Sequence, residues 1–200
     1  MNLPYQSQAC QDKFVAKLLN FKRDGYYLDI GSCDAVSTNN TYAFESLGWR
    51  GICIEMDPQH NDSYKVRSCK HLNDDATKID YLRLLEESNA PKAIDYLSLD
   101  IDALSTSVLK LIPFDKYIFG IITIEHDHYI HSGQYRDEQR RILTDAGYVL
   151  LCADVLVPLQ NDTSADSSFE DWWVHQSIAP TIEIPVNKRM YPKDIIEALG

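Results

Sequence analysis

Five stretches of the chain are almost continuously apolar: 26–30 (YYLDI), 51–55 (GICIE), 94–99 (IDYLSL), 118–125 (IFGIITIE) and 148–153 (YVLLCA). Uninterrupted runs of this length suit strands covered on both faces rather than strands with one wet face. Amphipathic segments stand between and around them at 8–21, 40–47, 79–88, 105–111 and 135–146, with the spacing of helices that bury one side. Gly48, Gly51 and Gly147 punctuate the returns from helix to strand. The alternation predicts an α/β domain: a largely parallel sheet with helices on both faces.

The last quarter breaks the rhythm. Residues 158–168 (PLQNDTSADSS) are polar and rich in turn formers, and FEDWWV follows at 169–174. This reads as a loop between two late strands, one of them antiparallel, with the rings of Trp172 and Trp173 on opposite faces. One ring would pack in the core; the other would face outward as an acceptor wall, or both would serve as core and edge cover. Pro180, Pro185 and Pro192 predict an irregular tail over 176–200, with a short helix at 193–199. No repeat or linker divides the chain, so 1–200 is read as one domain, with 1–24 as an N-terminal helical segment.

Charge narrows the partners. Thirty acids against 19 bases leave a net charge of −11, and no basic stripe interrupts the acidity. Binding a nucleic acid needs such a stripe, so no nucleic-acid partner is expected. The first residues lack the basic-then-apolar profile of a secretion signal. No apolar run reaches the ~20 residues of a membrane helix, so no membrane partner is expected. Five widely spaced cysteines form no C-x-x-C pair, which disfavours a disulfide framework and predicts a reduced, cytoplasmic setting.

In an open α/β sheet, ligands bind beyond the carboxyl ends of the strands. Polar residues gather there: Asp29 to Ser32, then Glu55 to Asp57, Asp100 to Asp102, and Glu125 to Asp127. Glu55, 24 positions after Gly31, is placed to hold both hydroxyls of a ribose. In GYYLDIGSCDA at 25–35 the turn that follows the strand has one glycine, Gly31, between two acids, not the G-x-G-x-x-G that brings backbone close to a pyrophosphate. Asp29 and Asp34 would repel phosphate and suit a cationic ligand. S-adenosylmethionine, with an ammonium, a sulfonium and no phosphate, fits better than NAD.

Taken in order, SQACQDKFV (7–15), GYYLDIGSCDA, NNTYAFESLGWRGICIE (39–55), DYLSLDID (95–102), ITIEHDHY (122–129), RRILTDAGYVLL (140–151) and FEDWWV resemble the FkbM-type S-adenosylmethionine-dependent methyltransferases. The resemblance spans residues 7–174. It implies a Rossmann-like, seven-stranded class I methyltransferase fold and methyl transfer, commonly to a hydroxyl oxygen. It assigns Asp29, Gly31 and Ser32 to the first cofactor loop and Asn40 and Thr41 to a helix start beside it. Glu55, followed by Met56, becomes the ribose acid, and Asp75 with Ala76 the adenine site, although NDDAT equally reads as a helix cap. Ser7, Gln8 and Asp12 fall on a segment that closes over the site. Ala35 replaces the family's usual glycine, and Asp100-Ile101-Asp102-Ala103 replaces its Asp-x-Glu-Gly.

Asp100, Asp102, Glu125 and His126 are the candidate catalytic residues. Asp102 or His126 is expected as base, while Asp100 and Glu125 position the acceptor or cofactor. With Asp127, the same groups could hold Mg²⁺ or Mn²⁺ and acidify an acceptor hydroxyl. His128 and His131 read as loop or helix-start residues. Arg136, Arg140 and Arg141 read as surface charge, with Arg136 within reach of an anionic acceptor. The expected acceptor is a small molecule or glycan. Specificity is assigned to loops at 103–107, 129–134 and 159–169. The rival readings are an NAD-dependent oxidoreductase and a catalytically silent cofactor-binding module. The sequence leaves the acceptor and the oligomeric state open.

Overall fold

A computed structural model describes residues 3–131, 133–159, 162–178 and 189–200. Seven strands form one sheet in the order β3-β2-β1-β4-β5-β7-β6: β1 (Tyr26–Ile30), β2 (Arg50–Ile54), β3 (Lys70–Leu72), β4 (Ala93–Leu99), β5 (Ile118–Glu125), β6 (Tyr148–Leu159) and β7 (Asp162–His175). β1 to β5 pair in parallel, whereas β7 enters antiparallel between β5 and β6. The expected class I architecture, with its late antiparallel strand, is present. β3 is the strand that apolar pattern alone does not reveal, because its three residues are half-buried or exposed.

The two-sided burial has a simple basis. Along β1 every residue is buried. Tyr27 belongs to the core shared with Phe14 and Val15 of α1 (Gln11–Leu18), Phe44 of α2 (Tyr42–Glu45) and Ile195 of α7 (Pro192–Ala198). Tyr26, Leu28 and Ile30 belong to the opposite core, with Tyr81 and Leu85 of α3 (Tyr81–Glu87), Val108 of α4 (Ser105–Leu109) and Leu143 of α6 (Gln134–Asp145). The period of two divides each strand between two helical layers. For the same reason both tryptophans of FEDWWV are buried, Trp172 in the first core and Trp173 in the second. Neither is an acceptor wall.

Local hydrogen bonding trims the expected helices. Asp12 accepts from the Gln6 and Ser7 amides and the Ser7 hydroxyl, turning the chain back before α1, which therefore starts at Gln11 and not at Gln8. Asn39 Oδ1 accepts from the amides of Thr41 and Tyr42, so the helix expected from Asn40 is confined to Tyr42–Glu45. The expected loop at 158–168 is a correction: β6 and β7 are 12 and 14 residues long and pair as a hairpin across most of it. Pairing β-strand backbones satisfies their polar groups, which composition alone does not register. Residues 103–107 likewise fold as a 3₁₀ turn and the start of α4, and His128–His131 form α5. Residues 160–161 and 179–188 of the expected loop and tail lie outside the described residues. Among the described residues, no helix is long and apolar enough to cross a membrane.

Candidate active site

A cavity of about 480 Å³ opens beyond the carboxyl ends of β1, β2, β4 and β5. That volume suits a ligand of nucleoside size. Gln8, Asp29, Gly31, Ser32, Asn40, Glu55, Met56, Asp75, Ala76, Asp100, Asp102 and Glu125 all line it. Thr41 and His126 are not among the lining residues.

Gly31 explains the single glycine of the first loop. Its φ is +80°, and a Cβ there would lie 1.8 Å from the Asp100 carbonyl oxygen. The glycine is demanded by the end of β4 pressing against the loop, where Asp100 N–H donates to Ile30 O at 2.9 Å. Glu55 ties this loop to the next, with one oxygen accepting from Cys33 N–H (2.9 Å) and the other from Asp57 N–H (2.7 Å). A carboxylate offers about four acceptor positions, so lone pairs are left for a ligand diol. Asp34 is not in the lining; its carboxylate caps the Val36 and Ser37 amides.

Asp29 is 1% exposed, and burial pushes its carboxyl up to about 6 against the pull of Thr41, Arg67 and Ser98. Beside it Asn40 donates to Ser98 Oγ, while its Oδ1 is buried without a partner. A buried orphan acceptor costs ~1–3 kcal/mol until something donates to it. Asp75 also lines the cavity, but both its oxygens are engaged, by the amide and hydroxyl of Thr77 and by Lys78 at 2.9 Å. The cap reading of NDDAT is realised there, and Asp74 and Thr77, which the motifs did not single out, join it in the lining.

At the β4–β5 end, Asp100 and Glu125 hydrogen-bond one another. Burial and the negative charge of Asp100 hold Glu125 far above the usual carboxylate range, and burial also raises Asp100. The pair therefore keeps one proton at neutral pH. Asp102 N–H donates to Glu125 Oε2 at 3.0 Å, and carboxylate oxygens of Asp102, Glu125 and Asp127 lie within 4.8 Å of one another. Leu104 and Tyr129, about half-exposed, lend apolar surface to this region.

His126 departs from its expected role. Its side chain is fully buried, with Nε2 3.5 Å from Asp171 Oδ1 and 3.9 Å from Asp154 Oδ1. Arg140 forks onto Asp171 at 2.7 and 2.8 Å, and Arg136 reaches Asp154 at 2.9 Å. These arginines are thus half-buried structural cations, not surface charge, and Arg136 is committed to Asp154; Arg141 alone of the three is exposed. The Ser168 hydroxyl together with the two arginines holds Asp154 near 2, and Arg140 with His126 holds Asp171 below the usual range, in both cases against burial. Two carboxylates neutralised by two guanidiniums leave little for a metal ion to bind.

No family model matches the chain, and no curated protein matches it in sequence. Its fold does match solved structures. A candidate RNA methyltransferase from Pyrococcus horikoshii aligns with TM-score 0.55 and 14% identity over 84% of this chain and 81% of that one. A candidate O-methyltransferase from Klebsiella pneumoniae gives 0.54 and 16% over 86% and 84%. A TehB-like S-adenosylmethionine-dependent methyltransferase from Corynebacterium glutamicum gives 0.52 and 9% over 83% and 88%. At these identities the likeness is one of fold: the chain has the Rossmann-like class I methyltransferase fold.

Proposed function

We propose that the protein is an S-adenosylmethionine-dependent methyltransferase of FkbM type that methylates a hydroxyl on a small molecule or glycan. One observation carries this reading. The cavity is lined by seven carboxylates and, among the described residues, by no lysine, arginine or histidine, while the buried Asn40 Oδ1 awaits a donor. An acceptor-rich cavity fits a ligand with an ammonium, a sulfonium and a ribose diol. It does not fit a pyrophosphate, which would find neither a basic side chain nor a helix start at Gly31; NAD is disfavoured accordingly.

Glu55 would hold the ribose hydroxyls, and Asp29 with Asn40 the ammonium. S-adenosylmethionine supplies an electrophilic methyl on sulfur. The acceptor oxygen must be aligned with it and lose a proton as the bond forms. Asp102 is the proton acceptor in this reading, because Asp100 and Glu125 already share a proton and His126 is turned into the Asp154–Asp171 cluster. The carboxylates of Asp102, Glu125 and Asp127 also have the spacing and oxygen chemistry for Mg²⁺ or Mn²⁺. Loss of activity on chelation, with donor affinity intact, would mark a metal-assisted variant of the same reaction.

An acidic cavity disfavours a polyanionic acceptor, which sets this chain apart from an RNA methyltransferase of similar fold. Titration calorimetry with S-adenosylmethionine and its demethylated product tests the reading. Binding should weaken at least tenfold in Glu55→Ala, the scale of one lost charge-assisted interaction. Absence of binding by the parent protein would sink the proposal. Binding without transfer to any hydroxyl in a broad acceptor screen, and with no effect of Asp102→Ala, would favour a silent binding module.

A further inference from the structure

Arg67 has no place in the strand-end motifs and does not line the cavity, yet its side chain is completely buried beneath it. Nε donates to Glu45 Oε1 at 2.7 Å, and Nη1 to Ala35 O at 2.6 Å and Asn39 Oδ1 at 3.1 Å. Nη2 donates to the Tyr27 hydroxyl at 3.0 Å and the Thr41 hydroxyl at 3.2 Å. A guanidinium only donates, so Thr41 Oγ1 is the acceptor in the last contact. Its one hydrogen is then free for Asp29 Oδ2, 2.8 Å away. The other nearby oxygen acceptor, Asn39 Oδ1 at 3.1 Å, already receives the Thr41 and Tyr42 amides and Arg67, and the Cys53 sulfur, a weak acceptor, lies at 3.9 Å. A directional chain therefore runs from a buried cation, through a fully buried hydroxyl, to a carboxylate that faces the cavity.

We propose that Arg67 is a positioning residue of the cofactor site, which acts through Thr41 to keep the Asp29 carboxylate charged and aimed at the cationic end of the cofactor. The assignment rests on the reading of the cavity as an S-adenosylmethionine site. It also gives Thr41 a role that does not require touching the cofactor.

The surroundings of Asp29 make such help necessary. Asp100, from the end of β4, adds negative charge, and Ser98 of β4 supplies only a neutral hydrogen bond. Cys53 of β2, Tyr96 of β4 and Tyr64 also face it, and burial raises all three, so they stay neutral across the working range. Arg67 is the one cation among these groups. Even with this help burial holds Asp29 at about 6, close enough to neutral pH for loss of the chain to matter.

The test combines two measurements on Thr41→Val, Thr41→Ser and Arg67→Lys. The first is the ¹³C titration of the Asp29 carboxyl in free protein, assigned by its disappearance in Asp29→Asn. The second is S-adenosylmethionine affinity from about pH 5.5 to 9. Thr41→Val keeps the volume and the buried cation, and should raise both midpoints by about one pH unit, the scale of one lost charge-assisted hydrogen bond. Affinity should then fall several-fold near pH 6.5 and return to the parent value near pH 8.5. Thr41→Ser should restore the parent profile. Arg67→Lys, a point charge without the fork, should fall between the two. An unchanged Asp29 midpoint in Thr41→Val overturns the proposal, as does an affinity loss equal at every pH, which would mean a merely structural role. A parent protein that binds no cofactor refutes the proposed function instead, and the carboxyl titration still decides whether the chain exists.

Discussion

Asp29→Asn should leave the unliganded protein more stable at neutral pH while weakening cofactor binding. Asp29 is 1% exposed and is displaced by burial from 3.8 to about 6. A carboxyl whose folded value lies above its unfolded value binds its proton more tightly in the native state. Ionisation therefore works against folding: the cost is absent well below 3.8, grows through the window up to about 6, and is complete above it. The full gap corresponds to about 3 kcal/mol. Between about pH 5 and pH 8, where the domain can be handled, roughly half of it develops, about 1.5 kcal/mol. Urea denaturation of both proteins at these two pH values gives the answer as a difference of differences. Lost hydrogen bonds and altered packing in Asp29→Asn are the same at both and cancel. The variant should gain on the parent by about 1.5 kcal/mol from the lower to the higher pH. A difference that does not change with pH, or that moves the other way, would show that Asp29 is not held above its ordinary range. The picture of Asp29 as a desolvated carboxylate whose charge opposes folding until a cation arrives would fall with it.

Other variants probe the frame of the site. Gly31→Ala places a methyl carbon 1.8 Å from the Asp100 carbonyl at a φ of +80° and should cost about 3 kcal/mol or more, seen as a large fall in thermal midpoint. Arg140→Ala removes the fork from Asp171, whose side chain is fully buried, and should cost about 3–5 kcal/mol in denaturant unfolding. The parent pairing has the opposite pH sign to Asp29. Asp154 and Asp171 are held below their unfolded values, so the stability they contribute is present above about pH 4 and drains away as pH falls toward 2; the Arg140→Ala penalty should shrink over that range. Asn40→Leu deletes a buried acceptor without a partner together with one hydrogen bond to Ser98 Oγ; the two offset, so unliganded stability should change by less than about 1 kcal/mol, while S-adenosylmethionine binding should weaken about tenfold. Equal losses in stability and binding would mean that Asn40 is structural.

Much of the architecture is written in the chain itself. Continuous apolar runs such as IFGIITIE are compatible only with burial on both faces, and their alternation with amphipathic segments leaves few sheet topologies. That Gly31, Glu55, Asp100 and Glu125 gather along one cavity was also legible, because strand ends must converge on one edge of a parallel sheet. Which way a strand-end side chain turns is another matter. His126 follows Glu125 by one residue and so points to the opposite side, where two arginines from α6 and two aspartates from the hairpin enclose it. The polar segment at 158–168 pairs as strand because the neighbouring chain supplies its hydrogen bonds, which no local composition announces. Arg67 carries no sequence signal at all: it lies 38 residues after Asp29 and meets it only through Thr41. Periodicity determines which residues reach the site's edge. Only the tertiary structure decides which of them face the cavity and which charges are already answered, because those depend on partners brought from distant parts of the chain.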